Sequence, residues 1–166
     1  FLGKAVQTVT PPSGSVNTAQ LVDGAVTLAK TDGNFGKVLQ VVTATDTAQR
    51  STTSTSFVTG SNTLSVSITP SSTANKVYVI ATTSLFSTSG STAYATIYRD
   101  STNLGSSFGM AQSSSGIWSG CPMSILDSPS STSALTYQVY FRVNSGTGYL
   151  NGDAGKASIT AIEIAG

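Results

Sequence analysis

From residue 37 to residue 166, apolar and polar positions alternate with the two-residue period of strands that turn one side to a core. In 63–69 (TLSVSIT), Leu64, Val66 and Ile68 fall on one side, and Pro70 stops the run. In 135–143 (LTYQVYFRV), Leu135, Tyr137, Val139, Phe141 and Val143 share a face, with Gln138, Tyr140 and Arg142 on the other. In 93–99, Tyr94, Thr96 and Tyr98 alternate against Ala93, Ala95, Ile97 and Arg99. The segment 76–86 opens with apolar residues of both parities, Val77 and Val79 against Tyr78 and Ile80, the pattern of a strand covered on both faces. Adding 38–45, 117–126, 147–151 and 158–164 predicts eight strands, and nothing after residue 36 carries the period of a long amphipathic helix. Short strands separated by turn residues predict an all-β fold, a jelly-roll-like antiparallel β-sandwich.

Two outward faces, Tyr78 with Ile80 and Tyr94 with Tyr98, are too apolar to stand alone in water and predict a subunit interface. The N-terminal part has a different texture. Residues 1–13 end in Pro11-Pro12, which imposes extended backbone, and residues 14–33 (GSVNTAQLVDGAVTLAKTDG) write one ten-residue unit about twice. Gly14 aligns with Gly24, Val16 with Val26 and Ala19 with Ala29. Units this small cannot bury a core alone and need neighbouring chains, so a closed homotrimer is expected. The division is 1–36 as connector and repeat-bearing neck, and 37–166 as a C-terminal β-sandwich head. The opening FLGKAVQTV has neither an initiator Met nor the apolar core of a signal peptide, and predicts a fragment of a longer polypeptide or a processed chain.

Composition narrows the chemistry. Ser and Thr supply about a third of the 166 residues, charged residues 9%, and the net charge is +1. The eight basic residues are scattered singly, so neither nucleic acid nor an anionic membrane is an expected partner. No segment has the roughly 20 apolar residues of a membrane-spanning helix, and no membrane insertion is expected. With no His and one Cys, the chain cannot build a Ser-His-Asp or Cys-His arrangement or a typical zinc site. No enzymatic activity, cofactor or metal is expected. Cys121 reads as a small buried hydrophobe. Asp100, Asp127 and Asp153 lie in turn-like contexts (YRDST, LDSPS, NGDAG) where Asp ordinarily bonds its own turn backbone. A glycosidase would need two carboxylates facing each other across a bond.

What remains is surface. Loops at the ends of a rigid scaffold carry binding, and three stretches qualify: 101–116 with Phe108 and Met110, 117–120 with the lone Trp118, and 145–155 with Tyr149, Asn151 and Asp153. An aromatic ring beside Asn and Asp offers an apolar platform and in-plane hydrogen bonds suited to a sugar or a polar protein ridge. Phe108, Trp118, Tyr149, Asn151 and Asp153 are therefore the candidate receptor-binding residues. The alternative for Trp118 and Tyr149 is a place in the core or a subunit interface.

The stretches GSVNTAQLVDGAVTLAK (14–30), GKVLQVV (36–42), 53–80, YRDSTNLG (98–105), LDSPSSTSALTYQVYF (126–141) and ASITAIEIAG (157–166) together resemble the C-terminal part of bacteriophage tail fibres and related virion fibre proteins. LDSPSSTSALTY and ITAIEIA are the most specific pieces, and nearly the whole chain is covered. The resemblance implies a trimeric fibre outside the cell, on the virion's tail or capsid, with the repeat as shaft or neck and the β-domain as terminal head. It brings no catalytic motif. The expected partners are the chain itself, other tail or capsid proteins through the N-terminal side, and a host surface glycan or outer-membrane protein as receptor. A purely structural head-decoration or neck fibre is the alternative function.

Overall fold

The structure, a computed structural model, describes residues 37–114, 116–152 and 155–166. The chain divides into Phe1–Phe35 and Gly36–Gly166. The connector and repeat read in 1–36 lie outside the described residues, as does Asp153.

The described residues are all β, with no helix. The strands are β1 (Val38–Asp46), β2 (Arg50–Thr52), β3 (Ser65–Ile68), β4 (Lys76–Ser87), β5 (Thr92–Arg99), β6 (Thr102–Asn103), β7 (Ala111–Ser114), β8 (Ser119–Asp127), β9 (Leu135–Val143), β10 (Gly148–Leu150) and β11 (Ala157–Ile164). They form two antiparallel sheets. In the first, β4 pairs with β8 along one edge and with β11 and then β10 along the other, while β1 pairs with β11 and β2 with β10. Short strands thus lie end to end, giving four columns in the order β1/β2, β11/β10, β4, β8. In the second, β9 lies between β3 and β5, and the far edge of β5 carries β7 and β6. The β3 column continues irregularly along β9, since Leu64, Val58 and Ser54 accept hydrogen bonds from Val139, Phe141 and Val143.

Alternation gives these pairings their energy. In β9 every second residue, Leu135 to Val143, is buried; in β11 the same holds for Ala157, Ile159, Ala161 and Glu163. The buried rows of both sheets merge into one core around Leu64, Val77, Val79, Leu85, Ile97, Tyr137, Phe141 and Ile159. Each fully buried aliphatic or aromatic side chain contributes about 1.5–3 kcal/mol. Cys121 joins this core at 1% exposure, and burial pushes its thiol up to about 12, so it behaves as a hydrophobe.

The expected strands fall close to the observed ones, with two instructive differences. The segments 147–151 and 158–164, counted as two strands, are β10 and β11, which share one column. The column that escaped detection is β6/β7: AQSS in β7 has one buried residue, Ser113, and no apolar alternation to announce it. On the outward face of β4, Tyr78 and Phe86 are half-buried and Ile80 is 37% exposed within the single chain.

Three carboxylates point inward. Asp46, where β1 breaks before β2, accepts hydrogen bonds from the backbone of Ala48 and Thr63 and from Arg50 Nε at 3.0 Å. Glu163, near the other end of the same strand pair, accepts from Gln40 Nε2 (2.6 Å), Asn75 Nδ2 (2.5 Å) and both the backbone N and Oγ of Ser71 (2.7 and 2.9 Å). Asp127 on β8 reaches across to the other sheet, accepting from Arg99 Nη1 at 2.7 Å and from the Tyr137 hydroxyl at 2.7 Å. So Asp127 binds two strands of the opposite sheet, not its own turn. Asp100 also departs from turn chemistry: its Oδ1 accepts from the Thr136 backbone N at 2.9 Å.

Burial alone would raise the pKa of Glu163, but the hydrogen bonds from Gln40, Asn75 and Ser71 outweigh it and hold the carboxyl at about 2, below its ordinary 4.5. For Asp46, burial is likewise outweighed by Arg50, Thr63 and Ala48, giving about 2 against 3.8. A carboxyl depressed on folding stabilises fully above its unfolded pKa and loses that contribution as pH falls through the folded value. Urea unfolding should therefore show stability flat above about pH 4.5 and falling towards pH 2. Glu163→Gln should lower stability at neutral pH by about 2–3 kcal/mol, since charged-group hydrogen bonds are lost, and should flatten the acid limb. An unchanged acid limb in this variant would show that Glu163 does not carry it.

Candidate binding surfaces

Directly opposed residues of antiparallel strands share a face, so the registers map the outer surface of the first sheet row by row. Val41, Ile162, Tyr78 and Leu126 form one row across four columns. Next come Thr43, Thr160, Ile80 and Ser124, then Thr45, Ser158, Thr82 and Pro122. Beyond them Tyr149 lies opposite both Phe86 and Ser51. The face therefore grades from a row of Val41, Ile162, Tyr78 and Leu126, at the end where the chain enters at Val38, through a belt rich in Ser and Thr that also holds Ile80, to Phe86 and Tyr149 at the far end. Its aliphatic row is open: Val41 is 56% and Leu126 51% exposed.

At the far end Phe86 packs against Trp118 with ring centroids 5.1 Å apart and meets Tyr149 edge-on at 5.8 Å. Trp118 also lies over Gly152, where an added Cβ would come within 3.1–3.2 Å of the indole. Trp118 and Tyr149 are thus brought together, 6.5 Å apart and joined by Phe86, an outward residue of β4; Tyr149 lies in β10 and not in a loop. The indole keeps 40% of its surface exposed.

Asn151 is elsewhere. It is 2% exposed and adopts φ of 60°, and its side-chain amide donates to the backbone oxygens of Asp46 (3.0 Å) and Ala48 (3.3 Å). Its backbone N donates to Ser84 O at 2.8 Å. Asn151 therefore fills the level at which both the β1/β2 and β11/β10 columns are interrupted, satisfying carbonyls that no strand neighbour reaches. It does not present its amide to a receptor. Asn is favoured here because it tolerates the left-handed conformation better than most side chains.

The outer face of the second sheet carries Tyr94, Thr96 and Tyr98 on β5 beside Arg142, Tyr140 and Gln138 on β9. A continuous stack runs across it. Phe108 lies 5.8 Å from Tyr94, the Arg142 guanidinium sits 4.3 Å from Tyr94 and 5.2 Å from Phe57, Phe57 is 6.2 Å from Tyr98, and Tyr98 stacks on Tyr140 at 4.1 Å. The face expected to need another subunit is covered in large part by its own chain: Tyr94 is only 9% exposed, because Arg142 and Phe108 pack on it. Cation–π contacts between a guanidinium and two rings hold the cover in place. Sequence reasoning placed Arg142 on this face but missed its contact with Phe57, which spans 85 positions of chain.

Phe108 projects from this stack at 64% exposure. Its turn is tightly bonded: Ser106 Oγ donates to Gly109 O, the Phe108 N donates to Ser106 Oγ, Asn103 Nδ2 donates to Ser106 O, and Arg142 Nη2 donates to Ser107 O. Gly109 has φ of 77°, and a Cβ there would lie 2.4 Å from Ala95 O, so only glycine fits. The segment 101–116 is expected as one loop from its sequence; its described residues 101–114 are β6, an ordered turn and β7. Beside the turn is an open cleft of about 250 Å³ lined by Phe108, Gly109, Met110, Ala111 and Gln112. The candidates thus separate, Phe108 to one sheet and Trp118 with Tyr149 to the other.

Compared with protein-family models and with curated proteins, the chain matches none.

Replacing Asn151 by Ala should cost about 2–4 kcal/mol, from lost buried hydrogen bonds and strain at positive φ. Urea unfolding measures it. A loss under ~0.5 kcal/mol, the range of an ordinary surface substitution, would refute the bridging role.

Proposed function

We propose that the protein is a non-enzymatic virion fibre, a homotrimer whose β-domain is a jelly-roll head that binds a receptor on a bacterial surface. Numbering the columns in chain order supports the jelly-roll reading. One sheet runs first, eighth, third, sixth, and the other second, seventh, fourth, fifth, the order produced when a long antiparallel hairpin is wound around a barrel.

The observation that carries the functional reading is the gradient on the outer face of the first sheet. Its open row with Val41 and Leu126 stands at the end where the chain enters, and the exposed Trp118 with the half-buried Phe86 and Tyr149 lies towards the other end. A neck that gathers three chains would bring the Val38 ends together, and Val41, Ile162, Tyr78 and Leu126 would be buried there between neighbouring copies around the three-fold axis. The opposite end is left free to meet a cell. Three heads per fibre would turn weak single contacts into firm attachment through effective concentration. The likeness of the LDSPSSTSALTY and ITAIEIA blocks to virion fibres adds to this reading.

Light scattering on the full chain should give three times the chain mass. Replacing Val41 and Leu126 together by Glu should yield folded monomers, because two charges cannot be buried unpaired in the seam. Monomeric wild-type protein would overturn the trimer. Excess purified protein should adsorb to host cells and slow phage adsorption; no effect on either would remove the receptor role and leave a structural fibre.

A further inference from the structure

The cleft beside Phe108 has the chemistry of a site for a single sugar ring. We propose that the cleft between Phe108 and Gln112 binds one pyranose unit of a surface glycan, an inference that rests on the receptor-binding reading and names its ligand class. Three features carry it.

The first is the presentation of Phe108. A ring with 64% of its surface in water gains little from packing, yet its turn is held by hydrogen bonds from Ser106, Asn103 and Arg142, and its base is locked by Gly109 on Ala95. The Met110 backbone N adds a bond to Ala95 O at 2.8 Å. An aromatic platform held this way loses little freedom on binding. The second is Gln112, exposed on β7 directly opposite Tyr94, whose side-chain amide has no partner among the described residues. A carboxamide offers two donors and an acceptor in one plane, suited to adjacent hydroxyls.

The third is size. At about 250 Å³ the cleft falls below the roughly 300–1,000 Å³ of sites for drug-sized ligands, so it takes one ring at a time. The C–H face of a pyranose would lie on Phe108, with Met110 beneath, while hydroxyls at its rim meet Gln112. A wholly apolar ligand fits less well, because it would strip water from the amide without replacing its hydrogen bonds.

Saturation-transfer NMR on the full chain, with methyl glycosides of glucose, galactose, mannose, rhamnose and N-acetylglucosamine as probes, tests the proposal. At least one should receive saturation with a Kd in the millimolar range. Phe108→Ala should weaken it about tenfold or more and Gln112→Ala about fivefold, both with unchanged circular dichroism, since both side chains are exposed. Ile117→Ala, at an exposed apolar residue outside the cleft, should leave it unchanged. Silence from the whole panel, or equal saturation in Phe108→Ala, overturns the sugar site. Adsorption of the protein to host cells is read separately: adsorption that persists while the panel is silent sinks the sugar and leaves the receptor-binding head standing.

Discussion

The two sheets are held at their margins by carboxylates that face inward, and the rest of the fold depends on those groups being fully bonded. A buried charge without partners would cost several kcal/mol, whereas one that satisfies several donors becomes a fixed point. Glu163 gathers β1, through Gln40, and the turn before β4, through Ser71 and Asn75. Asp46 gathers the β1/β2 break and the start of the β3 column at Thr63. Asp127 joins the sheets through Arg99 and Tyr137, and burial together with that carboxylate pushes the Tyr137 phenol far above its ordinary value, so it remains a neutral donor. With few charges in the chain, these three acids are placed where strands end and backbone alternation no longer supplies partners.

That arrangement leaves the outer faces free to diverge. The second sheet is roofed by its own chain, with Arg142 between Phe57 and Tyr94. Among the described residues the first has no such roof, and Val41 and Leu126 stay open. The difference follows from connectivity. The irregular segment 54–58 runs beside β9 and can lay Phe57 over the second sheet, whereas among the described residues Val41 and Leu126 of the first stay exposed. The expectation of a subunit interface, drawn from the sequence for both faces, therefore keeps its open apolar surface on the first sheet.

Much of the fold was legible because period two survives wherever a strand has a wet side. TLSVSIT and LTYQVYFRV announce β3 and β9 through side-chain parity alone. The limits are equally physical. β2, β6 and β7 are short edge strands whose pairing is set by neighbours and not by their own apolar content. Asn151 was misplaced because Asn beside Gly reads as an exposed turn, and only the three-dimensional coincidence of two column breaks gives its amide buried carbonyls to bond. Phe108 was legible as an exposed aromatic in a Gly/Ser-rich run. Its rigid seat was not, because Arg142, Asn103 and Ala95 come from other strands. The Asp residues show the same limit: turn context located Asp100 and Asp127 at strand ends, but their partners, Thr136, Arg99 and Tyr137, are distant in sequence.

The same separation bears on how a binding surface can exist on such a scaffold. The residues that fix the fold, Glu163, Asp46, Asn151 and Asp127, spend their polar atoms on the chain itself and have none left for a ligand. Phe108 and Gln112 are the reverse, a ring that touches Tyr94 on one side and keeps 64% of its surface in water, and an exposed amide. The turn that carries Phe108 is tied by its backbone and by Ser106, not by the phenyl ring. A different side chain at 108 would therefore leave the hydrogen bonds of that turn intact while altering what faces the cleft and the outer edge of the Tyr94 ring. Rigid support combined with a replaceable contact is the condition under which recognition can change without endangering the core.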